Sequence, residues 1–294
     1  YNEKTIKMKI HPIEAGNFKL DGGAMFGVVP KVLWQKTNPA NANNMIDVAS
    51  RCMLIENEDR LILIDVGMGD KQSEKFFNYY YRWGTFSLNS SIEKAGFSCG
   101  EITDVFFTHL HFDHCGGGVV WDNNKKFLKP LFPNARYWSN KKHWDWATKP
   151  NAREQASFLK ENLMPIESSG CLNFVSDHSV GFKYKPELGF EILFVDGHTE
   201  RQMIPKISYM GKTLIFAADL IPTSGHIPVP YVMGYDTRPL LTMDEKSLFL
   251  KEAAENDYYL FLEHDAYNEV VSLKKTEKGV RLNKVFKFND LFSS

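Results

Sequence analysis

Along this chain the apolar positions fall into short runs separated by turns rich in Gly, Asn, Asp and Pro, a pattern that predicts many short strands interleaved with a few helices. Residues 5–34 alternate apolar and polar positions around Gly16, Gly22-Gly23 and Gly27, which predicts short strands and turns, and Gln35 to Asn44 reads as a loop. Ser50–Glu56 and Arg60–Asp65 predict a hairpin across Asn57-Glu58-Asp59, followed by a helix from Ser90 to Ala95 started at Ser91. Asp104-Val105-Phe106-Phe107 is a buried strand, Asn134–Trp138 another, and Lys141–Thr148 and Arg153–Asn162 are helices. Phe190–Val195 is a strand, and Met203–Met210 and Thr213–Ala218 form a second hairpin. A proline-containing loop then runs from Pro222 to Pro239, before an amphipathic helix over Asp244–Asn256. Tyr258–Leu262 is a strand, and Glu269–Phe288 a closing hairpin that turns at Glu277-Lys278-Gly279.

The chemistry lies where these strands stop. The strand at Asp104 runs into Thr108-His109-Leu110-His111-Phe112-Asp113-His114, then Cys115 and the three glycines Gly116 to Gly118. On an extended backbone His109 and His111 face the same side, and a turn carries Asp113 and His114 to a second point nearby. Imidazoles with a carboxylate suit zinc, iron, manganese or cobalt better than calcium or magnesium. A plain polar loop would not need so many ligand types in so few positions. Other apolar strands end in Asp65, His198, Asp219 and His264, and in layered α/β folds reactive groups gather where strands give way to loops. Each of these alone is as easily a turn residue; their joint occurrence is the signal. Asp65 also suits an outer partner that orients a ligand histidine. The halves echo each other, with a hairpin strand ending in Asp (Asp65, Asp219) followed by a strand ending in His (His109, His264). The echo suggests two related β/α halves packed sheet against sheet with the site between them.

Composition narrows the function. The chain has 294 residues, 43% hydrophobic and 14% aromatic, enough for a substantial core, and its net charge of −1 leaves no basic footprint for nucleic acid. No apolar run approaches a membrane span. Cys52, Cys99, Cys115 and Cys171 show no paired spacing, so free thiols and a cytoplasmic setting are expected, with Cys115 a small buried filler. The sequence starts at Tyr1 with no secretory signal and no initiator Met, which is also compatible with a removed leader.

The run His109-Leu110-His111-Phe112-Asp113-His114, with His198, Asp219 and His264 following in order, resembles the metallo-β-lactamase superfamily over most of the chain, from Asp65 to His264. The resemblance implies one α/β domain over 1–294: an αββα sandwich with two mixed sheets face to face and helices outside. It further implies two divalent ions, zinc first among the candidates, one held by His109, His111 and His198 and the other by Asp113, His114 and His264, with Asp219 bridging both. Asp65 matches the family's early Asp. The family's glutamate-containing motif variant is typical of diiron oxygen-reducing proteins; His111 occupies that position here and favours hydrolysis. The expected chemistry is attack by a metal-bridging hydroxide, with Asp113 carrying the proton to the leaving oxygen.

The layout looks closest to the branch of N-acyl homoserine lactonases and methyl-parathion-hydrolase-like enzymes, acting on a small ester, lactone or phosphotriester. One departure stands out: lactonases of this branch commonly place a tyrosine three residues after the bridging Asp, and here that position is Pro222. His226, Tyr231 or Tyr235 from the following loop are the candidates for a substrate-facing donor, and Phe26, Trp34 and Met233 for apolar lining or core. The expected partner is a small molecule, with a homodimer in view and neither nucleic acid nor membrane. The competing readings are a metal-binding protein without turnover and a hydrolase of a β-lactam, thioester or nucleic acid. The missing basic stripe speaks against the last.

Overall fold

The computed structural model describes residues 8–85 and 87–292. Residues 5–7 of the expected opening strands lie outside them. The chain divides into two compact units, the first from Tyr1–Gly16, Ser50–Ser73 and Thr85–Ser176, the second from Asn17–Ala49, Glu74–Gly84 and Asp177–Ser294.

A six-stranded sheet built mostly from the first unit has the order Lys9–Asp21, Met45–Asn57, Arg60–Ile64, Asp104–Phe106, Arg136–Ser139, Leu172–Phe174. Met45–Asn57 pairs antiparallel with Arg60–Ile64, and from there each successive pairing is parallel. A parallel strand needs a crossover connection, and the helices Leu88–Lys94 and Lys141–Thr148 lie in those connections. The strand Asp104–Phe106 is buried throughout, as befits a central parallel strand, its apolar Val105-Phe106 following an Asp104 whose buried carboxylate is held by Arg60, Arg136 and Trp138. Around it Leu63, Val105, Phe107, Tyr137, Trp144 and Leu163 form one apolar core.

The second unit holds a seven-stranded mixed sheet. Lys183–Lys185, Phe190–Val195, Gln202–Tyr209 and Lys212–Phe216 follow one another antiparallel; Tyr259–Phe261 joins in parallel, and Val270–Thr276 and Gly279–Phe286 complete it antiparallel. The helix Pro239–Glu255 packs on the strand Val270–Thr276 and buries Phe249, Leu250 and Ala253. The expected α/β architecture, with mixed sheets and helices, is the one observed.

Three local expectations change. Residues 22–34 are the short helices Gly22–Phe26 and Lys31–Trp34 rather than strands, because the Asp21 side chain caps the first at the Ala24 N–H and Pro30 leads into the second. The helix expected at Ser90 begins at Leu88, capped by Ser87. The helix expected over Arg153–Asn162 is displaced to Lys160–Ser168, since Asn151 Oδ1 takes the N–H groups of Arg153 and Glu154 and holds that stretch in a turn.

Candidate metal centre

In the first unit the strand Asp104–Phe106 delivers the histidine run into a buried corner. Thr108 donates its backbone N–H to Asp65 Oδ1 at 2.8 Å and its hydroxyl to Oδ2 at 2.6 Å, which pins the chain just before His109. Leu110 N–H donates to His143 Nε2 at 2.8 Å, fixing the next residue. His111 is the residue before the short helix Phe112–Cys115, which carries Asp113 and His114. Two of the three glycines that follow, Gly116 and Gly117, are required by close packing. A Cβ at Gly116 would sit 2.3 Å from Met68 O, and one at Gly117 2.1 Å from Val66 O, so the loop after Ile64 lies directly on them. Cys115 is buried, donates to Leu110 O, and has its pKa pushed up to about 12 by burial, as suits a space-filling thiol.

The ring nitrogens in this corner can be assigned by what faces them. The single Thr108 hydroxyl proton goes to Asp65, so its oxygen accepts from His109 Nδ1 at 3.1 Å, leaving the lone pair on His109 Nε2. His111 Nε2 donates to Glu154 Oε1 at 3.3 Å, leaving the lone pair on Nδ1. These two lone pairs then face each other at 3.0 Å. His114 Nδ1 donates to Asp65 Oδ2 at 3.0 Å, which turns its Nε2 away from Asp65. Ligand atoms of His109 and His111 lie within 4.8 Å of each other, as do those of Asp113 and His114.

The second unit follows the same rule. His198 stands in the turn after the strand Phe190–Val195, Asp219 in the turn after Lys212–Phe216, and His264 beyond Tyr259–Phe261. His264 Nδ1 donates to Ala49 O at 2.8 Å, a carbonyl that can only accept, and its Nε2 faces Asp219 Oδ1 at 3.2 Å. His198 Nδ1 donates to Asp236 Oδ1 at 2.8 Å, and its Nε2 faces Asp219 Oδ2 at 3.1 Å. Burial alone would lower the pKa of His198; the carboxylates of Asp219 and Asp236 override it and push it up to about 10. The Asp219–His198 line therefore demands positive charge, whether a proton or a metal cation. Two imidazole lone pairs converging in one unit, and two ring nitrogens aimed at a single carboxylate in the other, form a nitrogen-rich donor set that fits divalent metal.

Of the loop candidates, His226 is buried with both ring nitrogens engaged, one with Thr223 Oγ1 and one with Met25 O, each at 2.8 Å, and its ring stacks on Phe26. It fastens the loop rather than presenting a donor. Tyr231 shares a small packing void with Asp219, Leu220 and Pro222, whereas Tyr235 is exposed. Phe26, Trp34 and Met233 are buried core. Glu154 and Asp236 were not legible as site residues from the sequence. Neither lies at the end of an apolar strand, and each reaches its histidine from a turn far along the chain.

Residues 45–264 match the family model of the metallo-beta-lactamase superfamily, and the chain belongs to that superfamily. A curated relative, an N-acyl homoserine lactonase from a Bacillus species, is 22% identical over 279 residues, covering 90% of this chain and 96% of its own. A probable metal-dependent hydrolase from Staphylococcus aureus superposes with a TM-score of 0.83 at 26% identity, over 96% of this chain and 99% of that one. AidC, a dizinc quorum-quenching lactonase solved in complex with a product, superposes with a TM-score of 0.73 at 24% identity over 95% of each chain. The class expected from the sequence, a metal-dependent hydrolase of this superfamily, agrees with that membership. Among the described residues no helix is long and apolar enough to cross a membrane.

Proposed function

We propose that the protein is a dinuclear metal-dependent hydrolase of a small ester, lactone or phosphotriester, with residues 1–294 working as one domain. In this reading His109, His111 and His198 serve one divalent ion, Asp113, His114 and His264 a second, and Asp219 both. The observation that carries it is the tautomer pattern: each of the five histidines has its outer nitrogen held by a hydroxyl, a carboxylate or a carbonyl, which leaves the inner lone pair for a cation. Zinc is the first candidate, on the nitrogen-rich donor set and the dizinc lactonase among the structural neighbours.

Bound there, two such ions supply a Lewis acid for the substrate oxygen and an acidified water as nucleophile. The protein's own contribution is positional. The outer partners fix which nitrogen of each imidazole faces the ion and how the ring is turned. Asp113, on the short helix beside His114, takes the proton of the attacking water and returns it to the leaving oxygen. Tyr231, packed beside Asp219 and Pro222, is the loop residue best placed to meet the substrate carbonyl in the role that Pro222 cannot fill.

The test is hydrolysis of an acyl homoserine lactone, an aryl ester, a phosphotriester and a β-lactam by zinc-replete protein, with His111→Ala and a chelated sample as blanks. Turnover of the lactone or the phosphotriester that disappears in both blanks is the expected result. A protein that holds two ions and is silent on all four substrates overturns the substrate class and revives a binding role.

A further inference from the structure

The amphipathic helix expected over Asp244–Asn256 runs from Pro239 to Glu255, and on it Lys246 is 1% exposed. A buried ammonium is costly unless each of its N–H groups finds an acceptor. Lys246 Nζ finds three, the backbone carbonyls of Pro228, Val229 and Tyr231, at 3.1, 3.4 and 2.7 Å. All three belong to the loop after Asp219, and five residues beyond Tyr231 that loop delivers Asp236. Asp236 is itself buried, fixed through Oδ2 by the Met233 N–H at 3.2 Å, and takes the outer proton of His198 on Oδ1.

The same helix grips the other side of His198. Glu245, next to Lys246, accepts the N–H groups of Asp196 and Gly197 at 2.6 and 3.0 Å. Thr237 N–H reaches His198 O, and a Cβ on Gly197 would fall 2.5 Å from Thr242 N. One helix thus clamps both the turn that carries the histidine and the loop that carries its carboxylate partner.

We propose that Lys246 and Asp236 are positioning residues for His198: Asp236 sets its tautomer and direction, and Lys246 acts through Asp236 by holding the loop in register. This rests on the reading of His198 as a metal ligand. Outer partners of ligand histidines are worth about 10–100-fold in metal affinity, and residues acting along one path are non-additive.

The experiment titrates zinc against a chromophoric chelator in the full-length wild type, Asp236→Ala, Lys246→Met and the double variant, with near-UV circular dichroism as the folding control and the d–d spectrum of the cobalt(II) forms as a second readout. We expect Asp236→Ala to weaken one of two ions about 10–100-fold and leave the other unchanged. Lys246→Met should weaken the same ion by a smaller factor, and the double variant should match Asp236→Ala alone. Folded Lys246→Met with both ions at wild-type affinity, or a double variant whose losses add, overturns the proposal. If Lys246→Met does not fold, Lys246→Gln, whose shorter side chain has two N–H donors for the three carbonyls, is held to the same outcomes. A wild type that takes up no zinc removes the functional reading itself; two ions in the wild type with unaffected variants removes only the clamp.

Discussion

In the first unit Arg60–Ile64 runs parallel to Asp104–Phe106, and in the second Lys212–Phe216 runs parallel to Tyr259–Phe261. At the end of each pair the chain makes the same bond. Asp65 N–H donates to Phe106 O at 2.9 Å, and Ala217 N–H to Phe261 O at 3.0 Å. Each unit then turns through a left-handed residue that is not glycine, Asp65 with φ 54° and Ala218 with φ 42°. The difference lies in where the acid falls. In the first unit it is the left-handed residue itself, and its side chain folds back to hold Thr108 and His114 from behind. In the second it comes one residue after the left-handed position, and its carboxylate faces the Nε2 atoms of His198 and His264. A shift in the placement of one acid turns it from a brace behind the histidines into a carboxylate that faces them. Left-handed backbone at a non-glycine residue stores strain of order 1–3 kcal/mol and is retained where surrounding bonds over-determine it.

The sharpest way to break this comparison is to remove the brace. Asp65 is fully buried and accepts from a backbone N–H, a hydroxyl and an imidazole. Asp65→Ala should lower folding stability by about 3–5 kcal/mol, the range for losing one member of a buried polar pair, and abolish zinc uptake at the His114 position. Urea unfolding of the metal-free protein checks the first part and metal analysis the second. A variant as stable as wild type would mean that Asp65 does not hold this corner.

The glycines come next in size. Gly117→Ala forces a Cβ to 2.1 Å from Val66 O, and Gly197→Ala forces one to 2.5 Å from Thr242 N, backbone against backbone in both units. Each should cost about 3 kcal/mol, the upper end for overpacking, read as a lowered midpoint of thermal unfolding. If only one of the two is destabilised, the units do not depend equally on close approach behind their histidines.

Glu154→Gln sharpens the contrast among the braced histidines at a smaller scale. Glu154 Oε2 takes two donors, Trp146 Nε1 at 2.7 Å and Asn151 Nδ2 at 2.6 Å, while Oε1 takes His111 Nε2. The two donors hold the glutamine oxygen on their side, so its NH2 group points at His111 Nε2 and forces the ring proton onto Nδ1. That removes the ligand lone pair without removing the side chain. Zinc affinity should fall about 10–100-fold with the fold intact, as measured by chelator competition. Unchanged affinity would contradict the tautomer assignment on which the metal reading rests.

How much of this could be read in advance follows from the range of the signals. The histidine run, the hairpin ending near Asp65, and the strands Phe190–Val195 and Tyr259–Phe261 were legible because apolar periodicity and strand-end histidines and aspartates are local signals. The helices at Gly22–Phe26 and Lys31–Trp34 were not, because alternation there outweighed the capping Asp21 and the leading Pro30. Glu154, Asp236 and Lys246 were invisible for a different reason. An acid in a turn and a lysine on a helix look like solvated surface until tertiary structure buries them. Outer partners of a site are set by packing across long sequence separations, and no spacing rule reports them.

The smallest effect concerns His226, the loop candidate that the structure makes into a fastening. Burial drives its pKa down to about 3, with the hydrogen bond to Met25 O only partly opposing. An unfolded histidine titrates near 6.5, so below that pH the unfolded chain binds a proton that the folded chain refuses, and stability is lost progressively as pH falls from about 6.5 toward 3. Above about 6.5 both states are neutral and the group contributes no slope. His226→Gln keeps a donor and an acceptor for Met25 O and Thr223 but cannot be protonated, so its unfolding free energy should fall less steeply than wild type over pH 6 to 4, with the two curves parallel above pH 7. Parallel curves across the whole range would mean that the loop opens and lets His226 protonate without unfolding. That outcome would separate this loop from the rigidly braced corner of the first unit, where Glu154 and Asp65 hold their histidines in a single arrangement.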